Sequence, residues 1–267
     1  MLNAGKRNVI GILIDAVDYE AVVESVLKAS RERRDFAVAA LAVHGLMTGV
    51  LDPRQKFRLN HFDCLVPDGQ PVRWVLNWLY HTKLRDRVYG PNLTLKICAR
   101  AASEGLPVYF YGSTPEVLVA LKESLATTTP GLVIAGMEAS KFRKLTCEEK
   151  RMVVDRIRAS GASLLFVGLG CPKQEVFAYE FCRVLSMPTV AVGAAFPFLA
   201  GLMSQAPLWM QNAGLEWLFR LFSEPKRLWR RYLYLNPAYL FLVAVQALGI
   251  MRFPTDGKSP IGEIRHG

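Results

Sequence analysis

Asp68 is the residue whose type and place first suggest chemistry. It sits in Pro67–Asp68–Gly69, directly after the apolar run His61–Val66. A carboxylate at such a turn could act as general base toward a hydroxyl nucleophile, and Gly69 leaves room for a ligand to approach. A helix starting near Pro71 offers a second role, because Asp is favoured as an N-cap. The segment Gly168–Leu169–Gly170–Cys171–Pro172–Lys173–Gln174–Glu175 joins another apolar run to a helical one. Gly168 and Gly170 allow a tight passage, and the opening helix offers backbone N–H groups to phosphate. Lys173 and Gln174 would add a charge and a directional hydrogen bond, and Glu175 could orient a sugar hydroxyl or hold Lys173. An ordinary glycine-rich turn with surface charges is the other reading. The GxxxxGK[ST] spacing of a phosphate-binding P-loop is missing.

Gly112–Ser113–Thr114–Pro115 is a further phosphate-facing turn or a plain helix cap. In Arg87–Val88–Tyr89–Gly90–Pro91–Asn92 the guanidinium could pair with phosphate bidentately. His44 follows a strand-like run, to line a cleft or to serve structure. Cys171 has no histidine tied to it and precedes a proline, which argues against a nucleophile. No DxD or HxxxH is present, so no metal is expected.

These residues need strands to carry them. The pattern predicts strands over Val9–Ile14, Phe36–Val43, His61–Val66, Pro107–Tyr111, Leu132–Ala135, Ser163–Val167 and Thr189–Val192. Helices are predicted over Tyr19–Ser30, Val72–Leu79, Leu93–Ala102, Pro115–Leu125, Cys147–Ala159 and Lys173–Leu185. The alternation calls for an α/β fold: a Rossmann-like, mostly parallel sheet with helices on both faces. Ligands then bind at the carboxyl ends of the strands, where Asp68, Gly112, Gly168 and Gly193 fall.

After about Gly201 the pattern changes. Leu208–Tyr232 is helical and basic, with five Arg or Lys against Glu216 and Glu224. Tyr232–Ile250 is a 19-residue uncharged stretch interrupted by Asn236–Pro237, which should split it early. An in-plane or partly inserted helix pair, anchored by arginines and aromatic rings, fits better than a span. The division expected is a catalytic core over 1–200, a basic amphipathic helical appendage over 201–250 that associates with membrane, and a disordered tail over 251–267. The net charge of +10, with 51% apolar residues in 267, implies an anionic partner. A mean hydropathy of +0.18 is far below that of a polytopic membrane protein. Five scattered cysteines without CxxC, and no visible secretory signal, point to the cytoplasmic side.

The chain resembles the WecG/TagA/CpsF glycosyltransferases of bacteria. The matching pieces are Pro67–Asp68–Gly69, Arg87–Val88–Tyr89–Gly90, Tyr111–Gly112–Ser113, the Gly168–Glu175 segment, Gly193, Leu199–Ala200–Gly201 and Ala206–Pro207. The series ends with Gly214–Leu215–Glu216–Trp217, Arg220–Leu221, Glu224–Pro225 and Arg230–Arg231–Tyr232. The resemblance implies an inverting transferase that moves a sugar from a UDP-sugar, of the UDP-glucose or UDP-N-acetylmannosamine type, to an undecaprenyl-diphosphate-linked sugar. The setting would be exopolysaccharide or cell-surface polysaccharide synthesis at the cytoplasmic face of the inner membrane, with a peripheral enzyme on anionic lipid. It implies no metal or other cofactor and no nucleic acid, and leaves oligomerisation open. Asp68 maps onto the family's proposed base. The appendage would bring Arg220, Arg227, Arg230 and Arg231 over the site. Two departures stand out: Ala42–Val43–His44 replaces a Thr-x-Asn of many members, and Gly90–Pro91–Asn92–Leu93 replaces Gly-x-Asp-Leu. Two other classes share such a core or charge. A nucleotide-dependent oxidoreductase would need a GxGxxG after the first strand, which is absent. A basic membrane- or nucleic-acid-binding module would not explain the interleaving of arginine with Trp and Leu.

Overall fold

The structure, a computed structural model, describes residues 1–262. The chain opens with strands Asn3–Val9 (β1) and Ile12–Val17 (β2), an antiparallel pair. Helix Tyr19–Arg31 (α1) and strand Phe36–Leu41 (β3) follow, then helices Val43–Leu51 (α2) and Pro53–Asn60 (α3). Strand Cys64–Pro67 (β4) leads to helices Gln70–Tyr80 (α4) and Gly90–Glu104 (α5). Next come Val108–Gly112 (β5), Pro115–Thr128 (α6), Ile134–Glu138 (β6), Cys147–Ala159 (α7), Leu164–Gly168 (β7), Lys173–Leu185 (α8) and Pro188–Ala191 (β8). Helices Ala195–Leu199 (α9), Leu208–Asn212 (α10), Glu216–Ser223 (α11) and Pro225–Ala247 (α12) complete the order.

β3 to β8 form one six-stranded sheet of order β4-β3-β8-β7-β5-β6, with every neighbouring pair parallel. Apart from the half-buried edge strand β6, its strands are buried on both faces, which is why they read as continuous apolar runs. Alternate residues nevertheless serve different layers. Val38, Phe110, Phe166 and Val190 pack with α1, α5, α6 and α9. On the opposite face, Ala39, Leu65 and Ala191 pack with α2, α3, α4 and the β1–β2 hairpin. Tyr111, Leu165 and Val167 meet α7 and α8 there. The expected α/β class and parallel sheet with helices on both faces are present.

The first expected strand, Val9–Ile14, is instead the tip of a hairpin. Val9 pairs with Ile12, and Ile10 and Gly11 form the turn at φ 45° and 92°. The run is continuously apolar because strand ends and turn are all buried: Val9, Ile10, Ile12 and Ile14 are each 0% exposed. Helices α2 and α3 replace what read as a connection. Gly45 and Gly49 weaken α2 as a helix on propensity but permit its contacts. A Cβ at either would come within 2.7 Å of Leu41, or of Ile12 and Leu59.

The expected break at Asn236–Pro237 does not occur, because α12 continues through Pro237 to Ala247. Burial on either side of the proline compensates the hydrogen bond its ring removes. Tyr239 and Val243 sit in the same apolar layer as Ile12 and Leu46, and Leu228 is fully buried. Gln246 completes the bonding of the β1–β2 turn, accepting from Ile10 N at 2.7 Å and donating to Asn8 O at 2.7 Å. The 201–250 segment therefore rests partly inside the core layer. The tail expected to be disordered from 251 differs over 253–258. Asn8 donates to Phe253 O (2.8 Å), Asn60 to Thr255 O (2.7 Å), and Lys258 N to Pro53 O (2.9 Å). The last part of that expectation, residues 263–267, lies outside the described residues.

At the carboxyl ends of β5 and β7 two backbones nearly touch. Gly112 has φ 116°, and a Cβ there would lie 2.7 Å from the backbone carbon and oxygen of Gly168. Gly168 is tight against a ring instead, with Phe196 at 2.6 Å from its ideal Cβ. Gly112→Ala should lower stability by about 2–3 kcal/mol in urea unfolding, because a backbone cannot yield. Gly168→Ala should cost less, since a side chain rather than backbone must shift.

Candidate active site

The loops that follow β3, β4, β5, β7 and β8 open into one cleft of about 1050 Å³, roofed by α10, α11 and α12. Asp68, one residue beyond β4, lines it. Its backbone N–H bonds Leu41 O at 3.3 Å, and its Oδ1 accepts from Gly90 N at 2.8 Å. Gly69, not Asp68, is the N-cap of α4, and no side chain caps that helix. The capping expectation is thus redirected: Asp68 serves the first turn of α5, whose positive end favours a carboxylate. Burial nevertheless raises its pKa above the ordinary carboxylate value. Arg87, the Gly90 N–H and Arg220 oppose that rise, and Glu216 adds to it.

Arg87 links the surroundings of Asp68 to the roof. Its Nη2 lies 2.7 Å from Glu216 Oε2 on α11 and donates to Gln211 Oε1 on α10 at 3.0 Å. Its guanidinium carbon stands 4.2 Å from the centre of the Tyr89 ring. Arg87 and Glu216 side chains are 8% and 16% exposed, so the ion pair is largely withdrawn from water. Tyr89 is fixed from behind by its own N–H, which donates to the Tyr19 hydroxyl at 2.8 Å.

The opposite wall is the Gly168–Glu175 segment. Gln174 and Glu175 are 3% and 1% exposed, and Gln174 Nε2 donates to Glu175 Oε1 at 3.0 Å. Neither is the surface charge of an ordinary turn. Burial holds the Glu175 carboxyl above the usual range, and its Oε2 has no hydrogen-bond partner. Two of the N–H groups expected to face phosphate are already used: Gln174 N donates to Gly170 O and Val176 N to Pro172 O. Lys173 is exposed at the rim and lines the cleft, so Glu175 does not hold it. The Cys171 thiol is pushed up by burial and by Glu175, which leaves it protonated.

His44, in the first turn of α2, lines the cleft beneath the roof. Burial, with the charges of Arg231 and Arg220, pushes its pKa down to about 4, so the ring is neutral at neutral pH. Ser113, Gly168, Gly170, Gly193, Arg220, Arg227 and Arg231 also line the cleft. Ser113 takes φ 61°, and its N–H bonds Gly168 O. Thr114, by contrast, is the cap of α6, accepting from Val117 N. Three expected residues are not among those that line the cleft. Gly112 lies beneath Ser113 against Gly168; Asn92 turns to the Tyr19 hydroxyl; Arg230 is exposed with its guanidinium over Trp229.

Several lining residues carried no sequence signal of their own. Glu216 stood in the family-like piece Gly214–Trp217 and as one of two acids in a basic run, with no role of its own, and Gln211 was unremarked. Trp74 and Trp78 lie on α4, within the expected helix Val72–Leu79, and are 41% and 60% exposed at the cleft. An acid amid arginines was the one clue to a buried pair. Among the described residues, no group of three or more His, Cys, Asp or Glu is placed to hold a metal ion.

The family model described as glycosyl transferase WecG/TagA/CpsF family matches residues 7–252, and the chain belongs to that family. It is a UDP-sugar-dependent glycosyltransferase. In its cleft, Glu216 raises the Asp68 pKa, so Glu216→Gln should move the Asp68 titration to lower pH, read by carboxyl carbon NMR. The same change should cost about 1–3 kcal/mol in urea unfolding, because Arg87 keeps its charge but loses its closest counter-ion.

Proposed function

We propose that this glycosyltransferase moves a hexose from a UDP-sugar to a sugar carried on a polyprenyl diphosphate, inverting the anomeric centre, with Asp68 as general base. The observation that carries the reading is the environment of Asp68. It is a carboxylate at the end of a parallel strand, oriented by the Gly90 N–H, with its proton affinity raised and four cleft-lining arginines nearby. A base of raised pKa takes a hydroxyl proton more readily than an ordinary carboxylate.

The step is a single displacement. The acceptor oxygen forms a bond to the anomeric carbon as the bond from that carbon to the UDP oxygen breaks. The hydroxyl proton passes to Asp68, and the electron pair leaves with UDP. Negative charge grows on the departing diphosphate, so cations and donors that face it stabilise the transition state more than the ground state. In this reading Ser113, Arg220 and Arg231, which line the cleft, take that role, and Arg227 and Arg87 meet the acceptor's diphosphate. Neutral His44 and buried Gln174 and Glu175 offer hydrogen bonds to sugar hydroxyls. Ala42 and His44, standing where many members carry Thr-x-Asn, suit a UDP-hexose of the glucose type as well as UDP-N-acetylmannosamine.

The appendage supports peripheral binding at the anionic inner face of a bacterial membrane. Among the described residues no helix is long and apolar enough to cross a membrane. Leu208, Trp209, Phe222 and Phe241 are nevertheless 65–77% exposed, and Lys226, Arg227 and Arg230 of the same segment are exposed as well. Such side chains suit insertion to headgroup depth.

Asp68→Asn should slow transfer by about 10²–10⁴-fold. At neutral pH it should leave unfolding stability equal to or above that of the native chain. The sign follows from the raised pKa: the folded state prefers the protonated form, so Asp68 supports folding below its unfolded pKa. That support is lost as pH rises through the folded value. The acid limb of kcat/KM against pH should lie above the ordinary carboxylate range and vanish in Asp68→Asn; near-native turnover would remove the base from its role. For the membrane, Lys226→Gln with Arg230→Gln should weaken recovery on phosphatidylglycerol vesicles by about 10- to 30-fold at low salt, at roughly 1 kcal/mol per charge. Recovery on neutral vesicles should change little.

A further inference from the structure

The cleft extends beyond the polar chamber into an apolar arm that the transfer reaction itself does not require. Two helices form it. On α4 the lining residues are Pro71, Trp74, Val75 and Trp78; on α12 they are Tyr239, Leu240, Val243 and Ala244. Each set follows the i, i+3, i+4 spacing of one helix face, so two apolar stripes confront one another along a groove. The helices are held side by side at both ends. Tyr239 donates to Pro71 O at 3.3 Å, and Gln246 Nε2 lies 3.4 Å from the Tyr80 hydroxyl. At 1.5 Å per residue the stripes run for about 8–10 Å. Val75, Tyr239 and Val243 are buried and make the floor, while Trp74, Trp78 and Leu240 stand 41%, 60% and 63% exposed along the rim.

Polarity changes in one direction along this arm. Its inner end meets the chamber lined by Asp68, Arg87 and Arg231, and its outer end carries no charged lining residue. A water-soluble nucleotide sugar has no use for such a surface. An amphiphile with an anionic head and a long branched hydrocarbon tail matches it end to end. We propose that the groove between α4 and α12 binds the first isoprenoid units of the acceptor's polyprenyl chain, so that the lipid leaves the site between Trp78 and Leu240. This rests on the acceptor class given above and adds where its tail lies. It also gives the exposed tryptophans of α4, outside the 201–250 segment, a part in lipid recognition.

The test separates tail binding from transfer. A polyprenyl diphosphate bearing a diazirine on its second isoprene unit is irradiated with the full-length protein in phosphatidylglycerol–phosphatidylcholine vesicles. A phosphatidylcholine with the diazirine in its acyl chain is the parallel probe. The prenyl probe should label peptides spanning 70–80 and 236–247, and the phospholipid probe should label them far less. Labelling elsewhere, or equal labelling by bulk phospholipid, overturns the groove. If these peptides are labelled but no UDP-sugar supports transfer to any polyprenyl-diphosphate sugar, the groove stands and the proposed reaction fails. Kinetics with Ala244→Phe and with Trp78→Ser then compare a long-chain acceptor with one carrying a single isoprene unit. The long-to-short ratio of kcat/KM should fall on the order of tenfold, as loss of about two buried methylene contacts would produce. An equal loss on both acceptors would mark a structural effect and count against the proposal.

Discussion

The ion pair between Arg87 and Glu216 is the contact on which the site depends. Arg87 lies between α4 and α5 and Glu216 begins α11, so the pair ties the Rossmann-like sheet to its helical roof at 2.7 Å. Withdrawing two charges from water costs several kcal/mol per ion unless the geometry returns it. Here the return comes from Gln211 and from the face of Tyr89 as well as from the partner. The pair is therefore poor evidence of net stability and good evidence of a fixed relation. Any other seating of α10 and α11 would leave Arg87 buried without its closest counter-charge.

That relation reaches Asp68 directly. Arg87 pulls its pKa down and Glu216 pushes it up, while burial dominates both. A lone arginine nearby would lower the proton affinity of the carboxylate. Pairing the arginine with an acid from the roof blunts that effect without removing the cation. The roof thus adjusts the Asp68 carboxyl as well as covering it. Burial beneath the same roof, with the charges of Arg231 and Arg220, keeps the His44 imidazole neutral, so the positive charge facing it resides in guanidinium groups that stay charged at any working pH.

How much of this could be read from the residues depends on where the ordering forces act. The bounds of α7 and α8 coincide with the expected ranges because their signals are local. Thr146 and Glu149 form a capping box, and Pro172 immediately precedes Lys173. The carboxyl-end turns at Asp68, Ser113, Gly168 and Gly193 were legible for the same reason. The β1–β2 hairpin was not. Its turn places an isoleucine at φ 45°, where Asn or Gly would normally announce the reversal, and Gln246 from the far end of the chain bonds it. Glu216 was hidden similarly, since a buried partner 129 positions away in sequence leaves no mark on its neighbours. Asn92 was misplaced by adjacency alone: it follows Pro91 at the cleft but lies on the turn of α5 that faces Tyr19.

Helix α12 explains why hydropathy gave an ambiguous answer for the uncharged stretch 232–250. A window average adds together faces that have different tasks. Tyr239, Val243 and Gln246 point into the layer beneath the hairpin; Leu233, Phe241 and Leu248 are exposed. Neither face alone is apolar enough for a span, yet their sum approaches one. The charge is segregated along the helix as well as around it, with its Lys and Arg confined to the first seven residues, Pro225–Arg231. A rigid rod with cations at one end and aliphatic surface at the other can orient an amphiphile in only one sense. Because Tyr239, Val243 and Gln246 fix the rod to the core, that sense is also fixed relative to Asp68. Pro237 lies where the two characters meet. Holding the helix continuous there preserves the alignment, since a break would let the cationic end swing independently of the apolar end.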